Sequence, residues 1–379
     1  MIPLCEPAII GRELEYVSDC VNSGWISSAG QYVMRFEQAL AEYVGVKHAI
    51  ACTSGTSALH TSFLLCDMRP DDEVLVPTVT FIATVNPVRY VGAWPVFIDC
   101  DEFCNLDMTA VRRFLAEECV TRDGVTYNRT TRRRVSAICP VHVWGTSCDM
   151  DAIDEIAAQY HLQVVEDATE SLGSTYKGRM CGGLARIAAL SFNGNKIITT
   201  GGGGAVLTND DALAEHARLI TTQAKLDGIG YVHSEIGYNY RMNNMLAALG
   251  LAQLETIDER VARKRGNFAR YEEALGPVGR ERLIGQPTWS DTNRWFYGYL
   301  CADAAAKDRL IEACLAADVQ VRPLWYPNHL QQPYVDMQAY QISRALDIYD
   351  RLVNLPCSVT LTPEQIALVA GIIRQADNL

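Results

Sequence analysis

From about Gly45 the chain alternates short apolar runs with stretches of helical period. Val46 to Cys52 predicts a strand, Thr56 to Cys66 a helix, Glu73 to Val76 a strand, Ala83 to Tyr90 a helix and Pro95 to Asp99 a strand. The rhythm resumes with a strand at Val135 to Val143, a helix at Asp149 to Tyr160, and strands at Gln163 to Glu166 and Ile187 to Phe192. Strands that return through helices make a mostly parallel sheet covered on both faces, with ligands at the carboxyl ends of its strands. After about Tyr240 the pattern changes. Asn244 to Leu275, rich in alanine, leucine and charge, predicts one long connecting helix. A strand at Phe296 to Cys301, a helix at Lys307 to Ala317 and the proline-punctuated stretch Arg322 to Leu330 then predict a smaller α+β unit. On this reading residues 1–250 form a large domain, and residues 251–379 a linker helix with a small domain.

Composition narrows the classes. With 379 residues, 49% of them hydrophobic, the chain can bury a large core. A formal net charge of −12 argues against a nucleic-acid binder, which needs a basic face. The basic run Arg132-Arg133-Arg134 reads as a solvated loop edge before an apolar strand, with a grip on phosphate as the lesser alternative. Thirteen scattered cysteines without a C-x-x-C pair resemble neither a zinc site nor a secreted disulfide framework, and fit reduced thiols of a cytoplasmic core. Met1-Ile-Pro-Leu-Cys-Glu-Pro shows no charged leader, and no segment reaches the ~18 uninterrupted apolar residues of a membrane span. The expectation is a soluble cytoplasmic protein with no membrane, nucleic-acid or metal partner.

Lys196 lies in Ser191-Phe-Asn-Gly-Asn-Lys-Ile-Ile-Thr-Thr-Gly-Gly-Gly-Gly204, a lysine after a buried strand and beside four glycines. Such an amine can form a Schiff base with an aldehyde once burial lowers its pKa, while glycines let backbone approach a flat phosphate-bearing cofactor. The same segment also reads as a surface turn. Ser54-Gly55-Thr56-Ser57 sits between a strand and a helix, and is either a cap or an anion cradle, or both. Asp167 ends an apolar strand, where its carboxylate can keep a proton on a ring nitrogen or can cap a helix; Glu166 should point to the opposite face. Glu170 follows one helical turn on. Phe81, after Pro77-Thr-Val-Thr, offers a flat face to a ring or a core contact, and His142 reads as a structural histidine. No Ser/His/Asp order, metal-spaced carboxylates, Walker loop or dinucleotide fingerprint competes.

These motifs, in this order, resemble the DegT/DnrJ/EryC1/StrS sugar aminotransferases. The likeness runs through Ser23-Gly-Trp-Ile-Ser27, Ser54 to Leu59, Pro77 to Phe81, Val165 to Ala168, Ser191 to Gly204, Gly237-Tyr-Asn-Tyr-Arg241, and Arg322-Pro323 to His329. The resemblance implies an α/β protein of fold type I, its large domain built on a mostly parallel seven-stranded sheet, with pyridoxal 5'-phosphate as cofactor and the pyridoxamine form as intermediate. It implies Lys196 as the cofactor-bearing amine and proton shuttle, Asp167 on the pyridinium nitrogen and Phe81 stacked on the ring. Ser54, Gly55, Thr56 and Ser191 would hold the phosphate, with Glu170 near the ring hydroxyl. Asn239 and Arg241 would reach the phosphate of the neighbouring subunit in a homodimer with shared sites. Trp25, Arg322, Tyr326 and His329 are candidate sugar contacts.

The implied reaction moves an amino group from L-glutamate, leaving 2-oxoglutarate, to the keto group of a nucleotide-linked sugar for surface glycan synthesis. The lysine loop is similar to the branch that aminates C4 of 4-keto-6-deoxy sugars, including perosamine, bacillosamine and legionaminic acid enzymes. Many perosamine-type members have Gly-Glu-Gly-Gly where this chain has Gly201 to Gly204, which leans the expectation towards a UDP-linked 2-acetamido-4-keto-2,4,6-trideoxyhexose. The alternatives are a GDP-perosamine synthase, a dTDP-sugar 3-aminotransferase, and a cofactor-binding regulator without turnover. A dehydratase of the same fold would carry histidine in place of Lys196.

Overall fold

The computed structural model describes residues 1–226 and 229–378. The large sheet takes seven strands from the first part of the chain: β1 (His48–Cys52), β2 (Glu73–Pro77), β3 (Trp94–Ile98), β4 (Val135–Ile138), β5 (Gln163–Asp167), β6 (Ile187–Ser191) and β7 (Gly204–Thr208). They form one sheet in the order β1-β7-β6-β5-β4-β2-β3, and a two-residue strand from the C-terminal part, β8 (Ala339–Tyr340), extends it beside β3 to make eight. Only β7 runs antiparallel to its neighbours. Helices cover both faces, and the strands are buried almost throughout, as parallel sheets require.

The expected elements are present with adjusted ends. The strand expected to reach Val143 stops at Ile138, because residues Val143–Gly145 turn as a 3-10 helix with Trp144 left-handed at φ 54°. The helix expected from Ala83 is reduced to Asn86–Tyr90. The long helix is a correction: it is two, Asn244–Leu254 and Ile257–Arg280, separated where Thr256 leaves helical geometry. The physical reason is packing. The first is buried on most of its surface and lies against Glu13–Ser23 and Gln31–Val44, whereas the second packs on Pro363–Ala376. Its regular part ends at Leu275, where Gly276 turns to φ 71° ahead of Pro277. The C-terminal part has its own three-stranded sheet, in which Leu352–Leu355 lies between Tyr297–Leu300 and Arg322–Pro323.

Of Arg132-Arg133-Arg134, the first is exposed and the other two are engaged in the fold. Arg134 pairs with the buried Asp72, and the Arg133 and Arg89 guanidinium groups lie 4.1 and 4.0 Å from the Trp94 ring centre. Twelve of the thirteen cysteines are buried and all thirteen are free thiols. Among the described residues no helix is long and apolar enough to cross a membrane.

The N-terminal segment is fastened by a buried charge. Arg260, 1% exposed, donates to the Ala8 carbonyl at 2.8 Å and pairs with Glu13 at 3.0 Å, and Gln253 donates to the same two acceptors. Cutting one partner from such a set leaves the other charge buried and alone. Glu13→Ala is therefore expected to lower unfolding free energy by ~3–5 kcal/mol, read from urea denaturation, whereas Arg12→Ala, which removes an exposed pair with Glu15, should leave the urea midpoint nearly where it is.

Candidate active site

The strands β5 and β6 and the start of helix Gly55–Leu64 end on one side of the sheet and surround a cavity of about 330 Å³, within the ~300–1,000 Å³ range of small-molecule sites. Its first wall is a capped helix N-terminus. Ser54 caps the helix, its hydroxyl accepting from Ser57 N–H at 3.0 Å while the Ser57 hydroxyl accepts from Ser54 N–H at 3.0 Å. The Gly55 and Thr56 N–H groups precede the helix's own bonding and so remain for a ligand. Ser191, the last residue of β6, sits directly against this terminus: a Cβ on Gly55 would come within 2.7 Å of the Ser191 Cβ. The cap reading of Ser54 to Ser57 is met, and the same turn leaves the geometry that an anion cradle would need.

The opposite wall carries the amine. Lys196 is 13% exposed, its Nζ 3.7 Å from Glu170 Oε1 and 3.8 Å from the centre of the Trp295 ring. Burial pushes the Lys196 pKa down, against the pull of Glu170 and Asp167. Burial pushes the Glu170 carboxyl up to about 7, with Lys196 opposing. Glu170 is aimed by its second oxygen, which accepts from the Trp144 backbone N–H at 2.8 Å. The left-handed backbone of Trp144, a conformation costing ~1–3 kcal/mol in most residues, turns that N–H towards the carboxylate.

Asp167 and Glu166 do point to opposite faces. Glu166 is wholly buried and accepts from His142 and from the N–H groups of Gly182, Leu184 and Ala185. It is a fastening for that loop, and His142 is structural, its Nδ1 accepting from Cys148 N–H. Asp167 is equally buried on the cavity side, behind Thr84 and Thr169, which line the wall. One Asp167 oxygen accepts from the Thr84 hydroxyl at 2.7 Å and the other from Thr169 N–H at 3.0 Å. Phe81 lies at the mouth, 53% exposed.

The remaining expected residues lie outside the cavity of their own chain. Arg241 is held on Glu37 by both carboxylate oxygens, and Asn239 is exposed. Trp25 is 59% exposed, Tyr326 packs edge-on against Tyr349, and Arg322 points to solvent. His329 accepts from or donates to the Thr78 hydroxyl at 2.7 Å, and burial lowers its pKa.

Sequence reasoning passed over Trp295, Phe296, Trp325 and Thr84. Trp295 is the floor beneath Lys196: its ring N–H donates to the Asn195 carbonyl at 2.5 Å, and its rings stack with Phe296 at 4.1 Å and Trp325 at 6.4 Å. Asn293 fixes it, accepting from Trp295 N–H at 2.8 Å while its amide donates to the Glu170 and Leu172 carbonyls. A paired Trp-Phe before a strand and a Trp inside the Arg322 to Leu330 loop were the available signals.

The donor set fits a flat ring bearing a phosphate and an aldehyde. The phosphate matches the helix terminus and Ser191, the aldehyde matches the one amine on the wall, and the close glycine leaves no room for competing side chains at that end.

The comparisons agree with that geometry. The model of the DegT/DnrJ/EryC1/StrS aminotransferase family matches residues 7–374. The chain is 38% identical to the GDP-perosamine synthase of Caulobacter vibrioides over 99% of this chain and 98% of that one. It is 30% identical to the UDP-4-amino-4-deoxy-L-arabinose–oxoglutarate aminotransferase of Shewanella sediminis over 96% and 94%. A DegT DnrJ EryC1 StrS aminotransferase from Brucella abortus superimposes with a TM-score of 0.88 at 27% identity, covering 97% of this chain and 96% of that one. The chain therefore belongs to the DegT/DnrJ/EryC1/StrS aminotransferase family, and pyridoxal phosphate is its cofactor.

Proposed function

We propose that this aminotransferase moves the amino group of L-glutamate to the C4 keto carbon of a nucleotide-linked 4-keto-6-deoxy sugar. The observation that carries the reading is the sheltered amine of Lys196, between Glu170 and Trp295, facing the anion cradle across one cavity. Pyridoxal phosphate, when bound, supplies an aldehyde that takes up amines and a ring that accepts the electron pair left by a breaking C–H bond. The protein supplies position and protons. Burial raises the neutral fraction of Lys196 over that of a free lysine, so Nζ can act as nucleophile and, once released, take a proton from the α carbon of the amino donor and deliver one to the sugar carbon that receives the nitrogen. Glu170, with its pKa near neutrality, takes up charge as Lys196 gives it away. Ser54, Gly55, Thr56 and Ser191 would bind the phosphate, Asp167 would keep the ring nitrogen protonated, and Phe81 would cover one ring face. Trp295, Phe296 and Trp325 keep water from the amine side.

The sugar side rests on the relatives. The Shewanella sediminis relative is named for a 4-amino sugar and for oxoglutarate. The glycine at 202 supports the UDP-linked 2-acetamido-4-keto-2,4,6-trideoxyhexose, because it lines the cavity and leaves space there. The 38% identity to a GDP-perosamine synthase favours a second reading, the GDP-linked 4-keto-6-deoxy sugar. Trp25, Arg322 and Tyr326 offer exposed surface to a nucleotide, with His329 beside them on the Thr78 loop. A homodimer is part of the proposal: Asn239 and Arg241 would serve the neighbouring cofactor, supported by the exposed apolar Tyr231, Val232 and Ile236 nearby.

Lys196→Ala is expected to abolish 2-oxoglutarate release while leaving the far-UV circular dichroism unchanged; full turnover in that variant would refute the assignment. The near-visible spectrum of the protein with pyridoxal phosphate should change on adding L-glutamate and return with one member of a panel of UDP-, GDP- and dTDP-linked 4-keto sugars. Cofactor uptake without 2-oxoglutarate release would instead support the regulator.

Glu170 generates a pH prediction for the protein without added cofactor. Its folded pKa of about 7 lies above the ordinary carboxyl value of 4.5, so it favours the folded state below that ordinary value and loses the contribution as pH rises through 7. Glu170→Gln should therefore gain stability relative to the parent between pH 5 and 8, by up to ~3 kcal/mol at ~1.4 kcal/mol per pKa unit, read from urea midpoints across that range. A constant difference would contradict it.

A further inference from the structure

The Asp167 carboxylate has a buried supporting chain that the reaction above does not use. Thr84 donates its hydroxyl to Asp167 at 2.7 Å, and the Thr80 and Thr84 hydroxyl oxygens are 2.8 Å apart. An ionised carboxylate only accepts, so the single Thr84 proton is committed to Asp167 and the Thr80 proton must point to Thr84. The alternative acceptor for Thr80, the Phe81 carbonyl, is at 3.4 Å. Two hydroxyls in series, 2% and 3% exposed, thus point the same way and polarise one another. Thr84 N–H closes a turn onto the Phe81 carbonyl at 3.1 Å, so one turn presents both the ring face of Phe81 and the hydroxyl of Thr84. The turn is clamped from the C-terminal part, where the buried Asn328 amide donates to the Thr80 carbonyl at 2.7 Å and to that of Thr78 at 3.1 Å.

We propose that Thr84, polarised by Thr80, is a positioning residue that aims the Asp167 carboxylate at the cofactor's ring nitrogen and donates a hydrogen bond to its charged form. The proposal rests on the reading above, in which Asp167 faces that nitrogen. A hydroxyl bond to the charged form of a carboxylate stabilises its charge, so the shared proton stays on the ring rather than crossing to Asp167. A ring that keeps its proton draws electrons from the Lys196 nitrogen and lowers that nitrogen's affinity for a proton. The Thr84 hydroxyl is thereby linked to a spectral titration some distance away. The titratable groups facing Asp167 are Lys196 and Glu170 on the cavity side and the thiols of Cys139 and Cys148 behind it. Burial pushes both thiols far up, which removes them from the working pH range.

The test compares Thr84→Val, which keeps the shape and removes the hydroxyl, with Thr84→Ser, which restores it. Each purified protein is loaded with pyridoxal phosphate and its near-visible band is titrated with pH. Thr84→Val is expected to raise the midpoint by about half a pH unit or more and to lower kcat roughly tenfold with KM for L-glutamate within about twofold. Thr84→Ser should return to the parent in both. A purely structural threonine would cost stability or cofactor affinity and leave the midpoint in place, so an unmoved midpoint in Thr84→Val, or a serine variant that behaves as the valine one, overturns the proposal. If Thr84→Val takes up no cofactor, Thr80→Val decides in the same way: it keeps the bond to Asp167, removes the polarising donor, and should raise the midpoint by a smaller amount. A parent protein that forms no near-visible band with pyridoxal phosphate would instead sink the reading of Lys196 on which the proposal stands.

Discussion

An amine withdrawn from most of the surrounding water is the constraint around which this molecule is arranged. Lys196 gains reactivity from burial only because its charge, when it has one, is met by Glu170 at 3.7 Å and by the face of Trp295. Neither partner could hold its place alone. Glu170 depends on the N–H of a strained Trp144, and Trp295 depends on Asn293, whose amide also grips the Glu170 carbonyl. Asn293 therefore ties both partners of the lysine to a single rigid side chain. A Cβ on Gly145 would lie 2.0 Å from the Asn293 Oδ1, and Gly145 has φ 89°, so that glycine is required twice over.

The same logic explains why the cavity draws on sequence-distant segments. Strand ends of a parallel sheet provide the phosphate end and the acids, but they leave the amine side open. The C-terminal part closes it with Trp295, Phe296 and Trp325, and fastens itself by lending β8 to the large sheet and Asn328 to the Thr78–Thr80 carbonyls. The N-terminal segment joins from the other direction, where Ile2 pairs with Val319 and Cys357 N–H donates to the Leu4 carbonyl.

What could be read in the sequence follows from how local each feature is. Period-2 and period-3.6 patterns supplied the sheet order's raw material; Ser54, Asp167 and Ser191 could be placed because a strand or helix end fixes where each one points, and Glu170 and Lys196 because they follow strand ends by a few residues. The break at Thr256 was illegible because both flanking helices have continuous helical pattern; only their different packing partners separate them. Trp295 and Thr84 were missed for a related reason. Nothing in the local pattern tells a tryptophan that stacks under a lysine from one that fills a core, and a threonine near a strand end shows no sign that it faces a carboxylate eighty-three residues away.

The four glycines after the lysine show how far such reading can be taken once contacts are known. Gly201 takes φ 79°, a turn that favours glycine. A Cβ on Gly203 would meet the Thr200 hydroxyl at 2.2 Å, and one on Gly204 would meet the Ser54 carbonyl oxygen at 2.4 Å. Those three are therefore set by the fold: Gly201 by its turn, Gly203 by neighbouring side chains, and Gly204 by the Ser54 backbone against which β7 begins. Gly202 differs in kind: no heavy atom lies within 4 Å of where its Cβ would be, its φ is not left-handed, and it lines the cavity. The fold would accept a side chain there. Of the four glycines it is the one whose lack of a side chain the chain's own packing does not require.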